Sequence, residues 1–250
     1  MSRTHHHRFF VPPADIRDGL VRFSPEQAYQ IARVLRLRPG DPLQVFDGTG
    51  CELRAELVAA TPTESSGRVT RITRRPPARV RLSLAQVVPR GAHMDLIVAK
   101  ATELGVSRLV LLEGAHSVRR GAERLERWRR IAIEAAEQSG RTEVPELASL
   151  GKLDGFLARH PTAEPLILCH DAVEATPLPA LCAGLGEVTA LSLLVGSEGG
   201  FAPDELARCR EAGARLAWLG PRLLRAETAA LAALAVVQAS LGDWQRREAE

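Results

Sequence analysis

The sequence predicts an α/β protein: a small β-rich domain over residues 1–73, then a larger domain over 79–250 built on a mostly parallel sheet. Three observations predict it. After residue 79, short apolar runs alternate with helical patterns, as in chains that build parallel sheets. Before residue 73, strand-like segments are separated by Gly, Pro and Asp. Between them, Arg74-Arg75-Pro76-Pro77 reads as a linker, because two adjacent prolines cannot continue a strand ladder.

In the first domain, "HRFFVP" at His7–Pro12 suits a strand, and so do Leu43–Phe46 and the alternating Cys51–Ala55, joined by the turn Asp47-Gly48-Thr49-Gly50. One helix interrupts them, from Pro25 to Leu37. Ser24 suits its cap, Pro25 its first position, and Pro39-Gly40 its end. In the second domain "RVRLSLAQVV" reads as a buried strand, followed by a helix with Met94, Ile97, Ala101 and Leu104 on one face. "RLVLLEG" is the next strand, and a helix over 122–138 follows it. "PLILCH", "LSLLVG" and "ARLAWLG" are three further strands, the last two joined by a helix over 203–212. A final helix, 227–241, is apolar nearly all round from Ala229 to Ala239, the pattern of a helix covered on several sides. A symmetric partner subunit is one way to cover it.

Composition narrows the function. No apolar run approaches the roughly 20 residues of a membrane span, and Met1–Arg8 lack the apolar segment of a secretory signal. The four cysteines sit far apart in no metal or redox spacing. His5-His6-His7 reads as a solvated terminal run. A cytoplasmic protein with reduced thiols is expected. Net charge is +3, and residues 1–79 carry 13 Arg against 8 acids, so the basic excess lies in the first third. Arginine outnumbers lysine 31 to 2, which suits planar contacts to phosphates and bases. Biased genomic composition is the plain alternative.

The densest segment is "LVGSEGGFAPDEL", Leu194–Leu206, where a strand breaks into a glycine loop and restarts as a helix. A second glycine turn, Gly220-Pro221-Arg222, follows the next strand. Glycine permits positive φ and close approach of a ligand, and loop amides at a helix start bind polar ligands. Glu198, Arg222, Arg225, Glu227 and Thr228 lie in or beside these loops. No G-x-G-x-x-G follows a strand, no P-loop is present, and Ser197 is not in G-x-S-x-G. Dinucleotide, P-loop and nucleophile-elbow chemistry are therefore unsupported.

"LVGSEGGFAPDEL" followed by "LGPRLLRAETAALAAL" resembles the carboxy-terminal signature of the SPOUT, or α/β-knot, RNA methyltransferases, and within them the 16S ribosomal RNA uracil-N3 methyltransferase family. "HRFFVP", "VLRLRPGD" and "FDGTG" resemble its amino-terminal part. "KATELGVSRLV" and "RWRRIAIEAAEQSGRTEVPEL" resemble its middle. The likeness runs nearly end to end. Ser197 stands where the family usually has Pro, and Ala226 where it has Thr. Ala28, Tyr29 and Gln30 replace histidines often found there, which removes any role for histidine in that helix.

The resemblance implies a PUA-like β-barrel preceding a trefoil-knotted parallel sheet, a homodimer formed through the knot region and the last helix, and S-adenosyl-L-methionine as cofactor. Leu194, Gly196, Ser197, Glu198, Gly199 and Gly200 would form one wall of its site. Leu219, Gly220, Leu223, Leu224, Arg225 and Thr228 would form another. The implied reaction is methylation of uridine N3 in 16S ribosomal RNA of the small subunit, on an unpaired or flipped-out base. Arg225 is the candidate to stabilise developing charge. Glu198 and Glu227 are candidates for base or orienting group, with helix capping or an ion pair to Arg222 or Arg225 as their other reading. RNA contacts are expected from Arg8, Arg33, Arg36 and Arg38. A stripe of Arg120, Arg124, Arg127 and Arg130 and the helix-end Arg141 extend them, although a solvated face explains the stripe equally. Lys100 and Glu103 read as an intrahelical pair. Two rival functions are a methyltransferase of the same fold acting elsewhere, such as a transfer-RNA ribose 2′-hydroxyl, and a non-catalytic RNA-binding assembly factor.

Overall fold

Alternation decides the first part of the chain. Along Cys51–Ala60, Leu53, Ala55 and Leu57 are buried while Arg54, Glu56 and Val58 are exposed, so one face packs and the other meets solvent. The structure is a computed structural model that describes residues 7–113 and 121–245. It divides into two compact units: Met1–Pro77 with Ala136–Val144, and Ala78–Ala135 with Pro145–Glu250.

The first unit holds β1 (Arg8–Phe10), β2 (Ile16–Arg17), β3 (Leu20–Arg22), α1 (Pro25–Tyr29), β4 (Pro42–Phe46), β5 (Cys51–Ala60) and β6 (Ser65–Arg74). The strands form one sheet in the order β1-β4-β5-β6-β3-β2. No ladder joins β1 to β2 among the described residues, so the implied barrel is a curled half-barrel. Phe9, Val11, Val21, Ile31, Val45 and Leu53 make its core. Ser24 caps α1 reciprocally with Gln27, at 3.2 and 3.1 Å. The helix does not reach Leu37 in regular form: it continues as a π-turn over Gln30–Val34, and Arg36 adopts a left-handed φ of 55° that ends it. Residues 136–144 complete the unit. The Phe10 amide donates to Glu137 Oε1 at 2.8 Å, and the Gly50 amide donates to the Thr142 carbonyl at 3.1 Å.

The second unit contains β7 (Arg81–Val87), α2 (His93–Glu103), β8 (Arg108–Leu112), α3 (Gly121–Ser139, whose last turn belongs to the first unit) and β9 (Glu146–Gly151). Then come α4 (Leu153–Leu157), β10 (Leu166–Cys169), β11 (Thr176–Pro177), α5 (Leu178–Ala183), β12 (Ala190–Val195), α6 (Pro203–Glu211), β13 (Arg215–Trp218) and α7 (Ala226–Ser240). Seven strands lie in the order β11-β13-β10-β12-β7-β8-β9, and every ladder is parallel. Parallel sheets need cover on both faces. Ala85, Val110, Leu112, Leu168, Leu194 and Cys209 fill a core on one side, and α7 packs against α2, α5 and β12. The polar exception in α7, Gln238, is satisfied: its Nε2 donates to the Leu104 carbonyl at 2.8 Å, and its Oε1 accepts the Asp243 amide at 3.2 Å. Among the described residues no helix is long and apolar enough to cross a membrane.

Candidate functional site

Parallel strands send all their carboxyl ends to one edge, where open α/β sheets gather ligands. At that edge the turns after β10, β12 and β13 surround a cavity of ≈ 720 Å³. One wall is Val195–Phe201, the other Trp218–Ala226, with Cys169, His170 and Asp171 beside them. Gly200 (φ +66) and Gly220 (φ +110) hold backbone conformations that L side chains rarely adopt. At Gly196 the reason is space: a Cβ would lie 3.1 Å from the Phe201 ring and 3.4 Å from Gly200.

The first wall is clamped from beneath. Gln86, on β7 beside β12, is fully buried. Its Nε2 lies 2.9 Å from the Val87 carbonyl, 3.1 Å from that of Gly196 and 3.4 Å from that of Val195. The loop is clamped again at its crest, where the Arg90 amide donates to Glu198 Oε1 at 3.2 Å. Glu227, second residue of α7, is buried, with Oε1 3.4 Å from His93 Nδ1 at the start of α2. Arg225 precedes α7 as its N-cap residue. Its guanidinium has no hydrogen-bond or ion-pair partner among the described residues, and it lines the cavity. Burial pushes the Cys169 thiol up to about 12, so it stays protonated and is no nucleophile at neutral pH.

Of the expected cofactor residues, Gly196, Ser197, Glu198, Gly199 and Gly200 line this cavity, as do Leu219, Gly220, Leu223, Leu224 and Arg225. Two do not. Leu194 is fully buried in the apolar core one residue before the strand ends, and Thr228, exposed on α7, lies outside the lining. Glu198 and Glu227 each already have a partner, and it is not the expected Arg222 or Arg225. Neither partner, Arg90 nor His93, is signalled by any pattern in "VVPRGAHMD".

The expected RNA contacts divide similarly. Arg33 lies on the π-turn after α1 and Arg36 and Arg38 just beyond it, and all three are exposed. Arg8 is not: its side chain is 8% exposed, Nη1 donates to the Ala136 carbonyl at 3.0 Å, Nε lies 3.4 Å from Glu52, and the guanidinium covers the Phe46 ring at 4.3 Å. Burial lowers its pKa, against the opposing pull of Glu52. Arg8 is a packing residue of the first unit, held by the amphipathic reach of its own side chain. Arg124 is exposed, Arg127 is paired to Asp95, and Arg141 sits half-buried in the first unit. Arg120, His5 and His6 lie outside the described residues. Lys100 and Glu103 do pair, at 2.8 Å.

Sequence reasoning missed a basic face on the first unit. On the solvent side of its sheet Arg54 of β5 stands directly opposite Arg71 of β6. Both are exposed, with exposed Arg68 on the same strand as Arg71. Neither Arg54 nor Arg71 has a side-chain partner among the described residues. Like charges in cross-strand register repel.

A parallel sheet whose carboxyl edge carries a glycine-walled cavity, in a chain with a basic β-domain, defines a ligand-binding α/β class of protein. Consistent with this, a family model for the RNA methyltransferase domain matches residues 76–238. The chain is 33% identical to the ribosomal RNA small subunit methyltransferase E of Mycobacterium bovis, over 94% of this chain and 92% of that protein. It is 30% identical to the protein of that name from Bacillus subtilis, over 85% and 87%. The crystal structure of ribosomal RNA small subunit methyltransferase E from Neisseria gonorrhoeae bound to S-adenosyl methionine superposes with a TM-score of 0.85 at 31% identity, covering 96% of this chain and all of that one. A putative methyltransferase from Legionella pneumophila in complex with the same cofactor gives 0.83 at 30% identity, over 95% and 99%. The chain belongs to the ribosomal RNA small subunit methyltransferase E family.

Proposed function

We propose that this protein transfers a methyl group from S-adenosyl-L-methionine to N3 of a uridine in 16S ribosomal RNA of the small subunit. The observation that carries the reading is the cavity between the two glycine corners, with Glu198 and Arg225 on its walls, in a chain of this family. Its ≈ 720 Å³ falls inside the roughly 300–1,000 Å³ of ordinary small-molecule sites. Gly200 and Gly220 are set by their positive φ, but Gly199 has neither a positive φ nor any atom within 4 Å of a would-be Cβ, so its bare backbone is left open to a ligand. The residues therefore fit the cofactor, held by Gly196–Gly200 on one side and by Leu219, Gly220 and Leu223–Arg225 on the other.

When bound, the cofactor supplies an electrophilic methyl group on a sulfonium. Uracil N3 is a poor nucleophile until its proton leaves, so the protein must orient the base and lower the barrier to deprotonation. Orientation in a walled site supplies up to about 7–11 kcal/mol in favourable cases. Arg225, unpaired on the wall, offers its guanidinium to the uracil carbonyl oxygens, where charge grows as the proton departs.

The domain over 1–73 is the RNA grip and that over 79–250 the methyltransferase. Arg33, Arg36 and Arg38, with the Arg54–Arg71 pair, offer contacts to phosphates, which position RNA without reading sequence. Exposed Arg124 offers a further contact on the second unit. Two copies pair through α7, whose Leu231, Ala232, Ala235 and Val236 stay only half covered, and the protein works in the cytoplasm with its substrate. Light scattering should then report twice the chain mass, and Val236→Glu half of that.

The test uses small ribosomal subunits from cells lacking this protein, incubated with purified enzyme and methyl-labelled cofactor. Label recovered in N3-methyluridine is the expected result. Label in a 2′-O-methyl nucleoside would move the acceptor to ribose. No label on any RNA would reduce the protein to an RNA-binding factor.

A further inference from the structure

Of the carboxylates beside the cavity, Glu198 accepts the Arg90 amide, buried Glu227 faces His93 and exposed Asp171 lies beside His170. A carboxylate, with an ordinary pKa of about 4, is a weaker base at neutral pH than an imidazole, whose ordinary pKa of about 6.5 lies near the working pH. We infer that His93 is the base for that proton and that Glu227 orients it, an assignment that rests on the N3 methylation proposed above.

Two independent tethers join His93 to residues in or next to the cavity's lining, although neither His93 nor Glu227 is itself part of that lining. Its Nδ1 lies 3.4 Å from Oε1 of Glu227, which directly follows the wall residues Arg225 and Ala226. Three residues before it, the Arg90 amide is fixed to Glu198 of the opposite wall. Gly91, at φ +70, turns the chain between them so that its Cα hydrogen, and no side chain, faces the imidazole: a Cβ there would lie 3.7 Å from His93 Cδ2. The carboxylate beside Nδ1 places the hydrogen on that nitrogen and leaves the Nε2 lone pair as the acceptor. A negative charge at the second residue of α7 is favoured by the helix dipole, and it also stabilises the imidazolium once formed. The side chain of His93 is 43% exposed, so the proton can pass on to water.

The step balances. The N3–H bond breaks and its proton bonds to Nε2 of His93. The electron pair left on N3 forms the new N–CH₃ bond, while the methyl–sulfur bond breaks with its pair going to sulfur. N3-methyluridine and S-adenosylhomocysteine leave, and imidazolium returns its proton to solvent. Among the described residues the charged groups on the elements that pack here are Glu227 and Arg225 of the α7 start, Glu198 of the loop, Arg90, and Asp95 two residues along α2. Asp95 is held by Arg127 and by the Trp128 indole at 3.0 Å, so Glu227 is the carboxylate left for His93.

The experiment compares wild type, His93→Ala and His93→Gln in single-turnover methylation, with cofactor affinity by calorimetry and RNA label identified as nucleoside. The expected result is a rate lower by about 10²–10⁴-fold in both variants, with cofactor Kd within about threefold. Added imidazole should restore part of the alanine variant's rate and leave wild type unchanged. Glu227→Gln should fall between wild type and His93→Ala. A His93→Ala rate within about threefold of wild type, or a loss that imidazole does not restore in a variant that still binds cofactor, overturns the assignment. If His93→Ala does not fold, His93→Gln carries the rate criterion alone. A wild type that methylates some other position, or nothing, instead overturns the N3 reading itself.

Discussion

Two regions of this molecule treat charge in opposite ways. Around the cavity of the second unit, acidic side chains are already engaged: Glu198 by a backbone amide and Glu227 by His93. On the outer face of the first unit's sheet, Arg54 and Arg71 stand opposite each other with no acid between them. Folding alone does not favour the second arrangement, since opposed like charges weaken a sheet. The difference teaches what each region meets. The cavity is organised before its ligand arrives, as electrostatic catalysis requires. On the function proposed above, the excess of positive charge on the basic face would be met by the RNA polyanion.

The comparison breaks first at Arg225, a cation of the organised region that has no partner among the described residues. Arg225→Ala should reduce kcat by about 10²–10³-fold, the cost of losing one donor to developing charge, with cofactor Kd changed little. Steady-state kinetics with calorimetry separates the two. An unchanged kcat would show that charge on the wall is not used in the reaction.

Gln86 tests whether the organisation itself matters. Gln86→Leu keeps the volume and removes the amide donor that faces three carbonyls, together with an Oε1 that is buried without a partner of its own. Unsatisfied buried groups cost about 1–3 kcal/mol, so urea unfolding should shift by about that amount and cofactor should bind at least about tenfold more weakly. Lost stability with unaltered affinity would mean that the clamp serves the sheet and not the glycine corner.

These residues also show where sequence stops. The period-2 alternation of Cys51–Ala60, the 3.6-residue period of α2 and α3 and the all-round apolar run of α7 are local and were legible, and the glycine corners announced themselves by composition. Gln86 was not. Inside "RVRLSLAQVV" it reads as one polar break in an apolar strand, and its role depends on a partner strand more than 100 residues away in sequence. His93 follows "PRGA", and the residue before α2, Ala92, makes no side-chain cap, so neither the helix start nor the histidine carries a signal. Arg8 was misread for the complementary reason: arginine in a basic segment suggests solvent, yet its partners Ala136, Glu52 and Phe46 come from distant segments. Residues 136–144 return to the first unit through such long-range bonds, and the short elements β9, α4, α5 and β11 lack enough residues to show a period. The knot that the resemblance implies would be a property of the chain's path, which no periodicity encodes.

The basic face offers a sharper test because stability and binding should move in opposite directions. Arg54→Glu reverses one charge of the pair. RNA affinity should fall several-fold at low salt, and the slope of log K against log salt should flatten by about 0.7–0.9, the value of one phosphate contact. Catalysis at saturating RNA should be kept, because the substitution touches nothing on the cavity. An unchanged slope would place the RNA elsewhere.

The same variant has a smaller effect with the opposite sign. With no RNA bound, the introduced carboxylate would face Arg71 across the ladder, converting a repulsive register pair into an attractive one, worth about 0.2–1 kcal/mol. Exposed pairs are screened by salt, so the gain should appear in urea unfolding at low ionic strength and fade as salt rises. A protein that becomes slightly more stable while holding RNA less well shows that the arginine is kept for its ligand and against the fold. A variant that loses both would instead give Arg54 a packing role like that of Arg8, and the two regions would no longer differ in the way they treat charge.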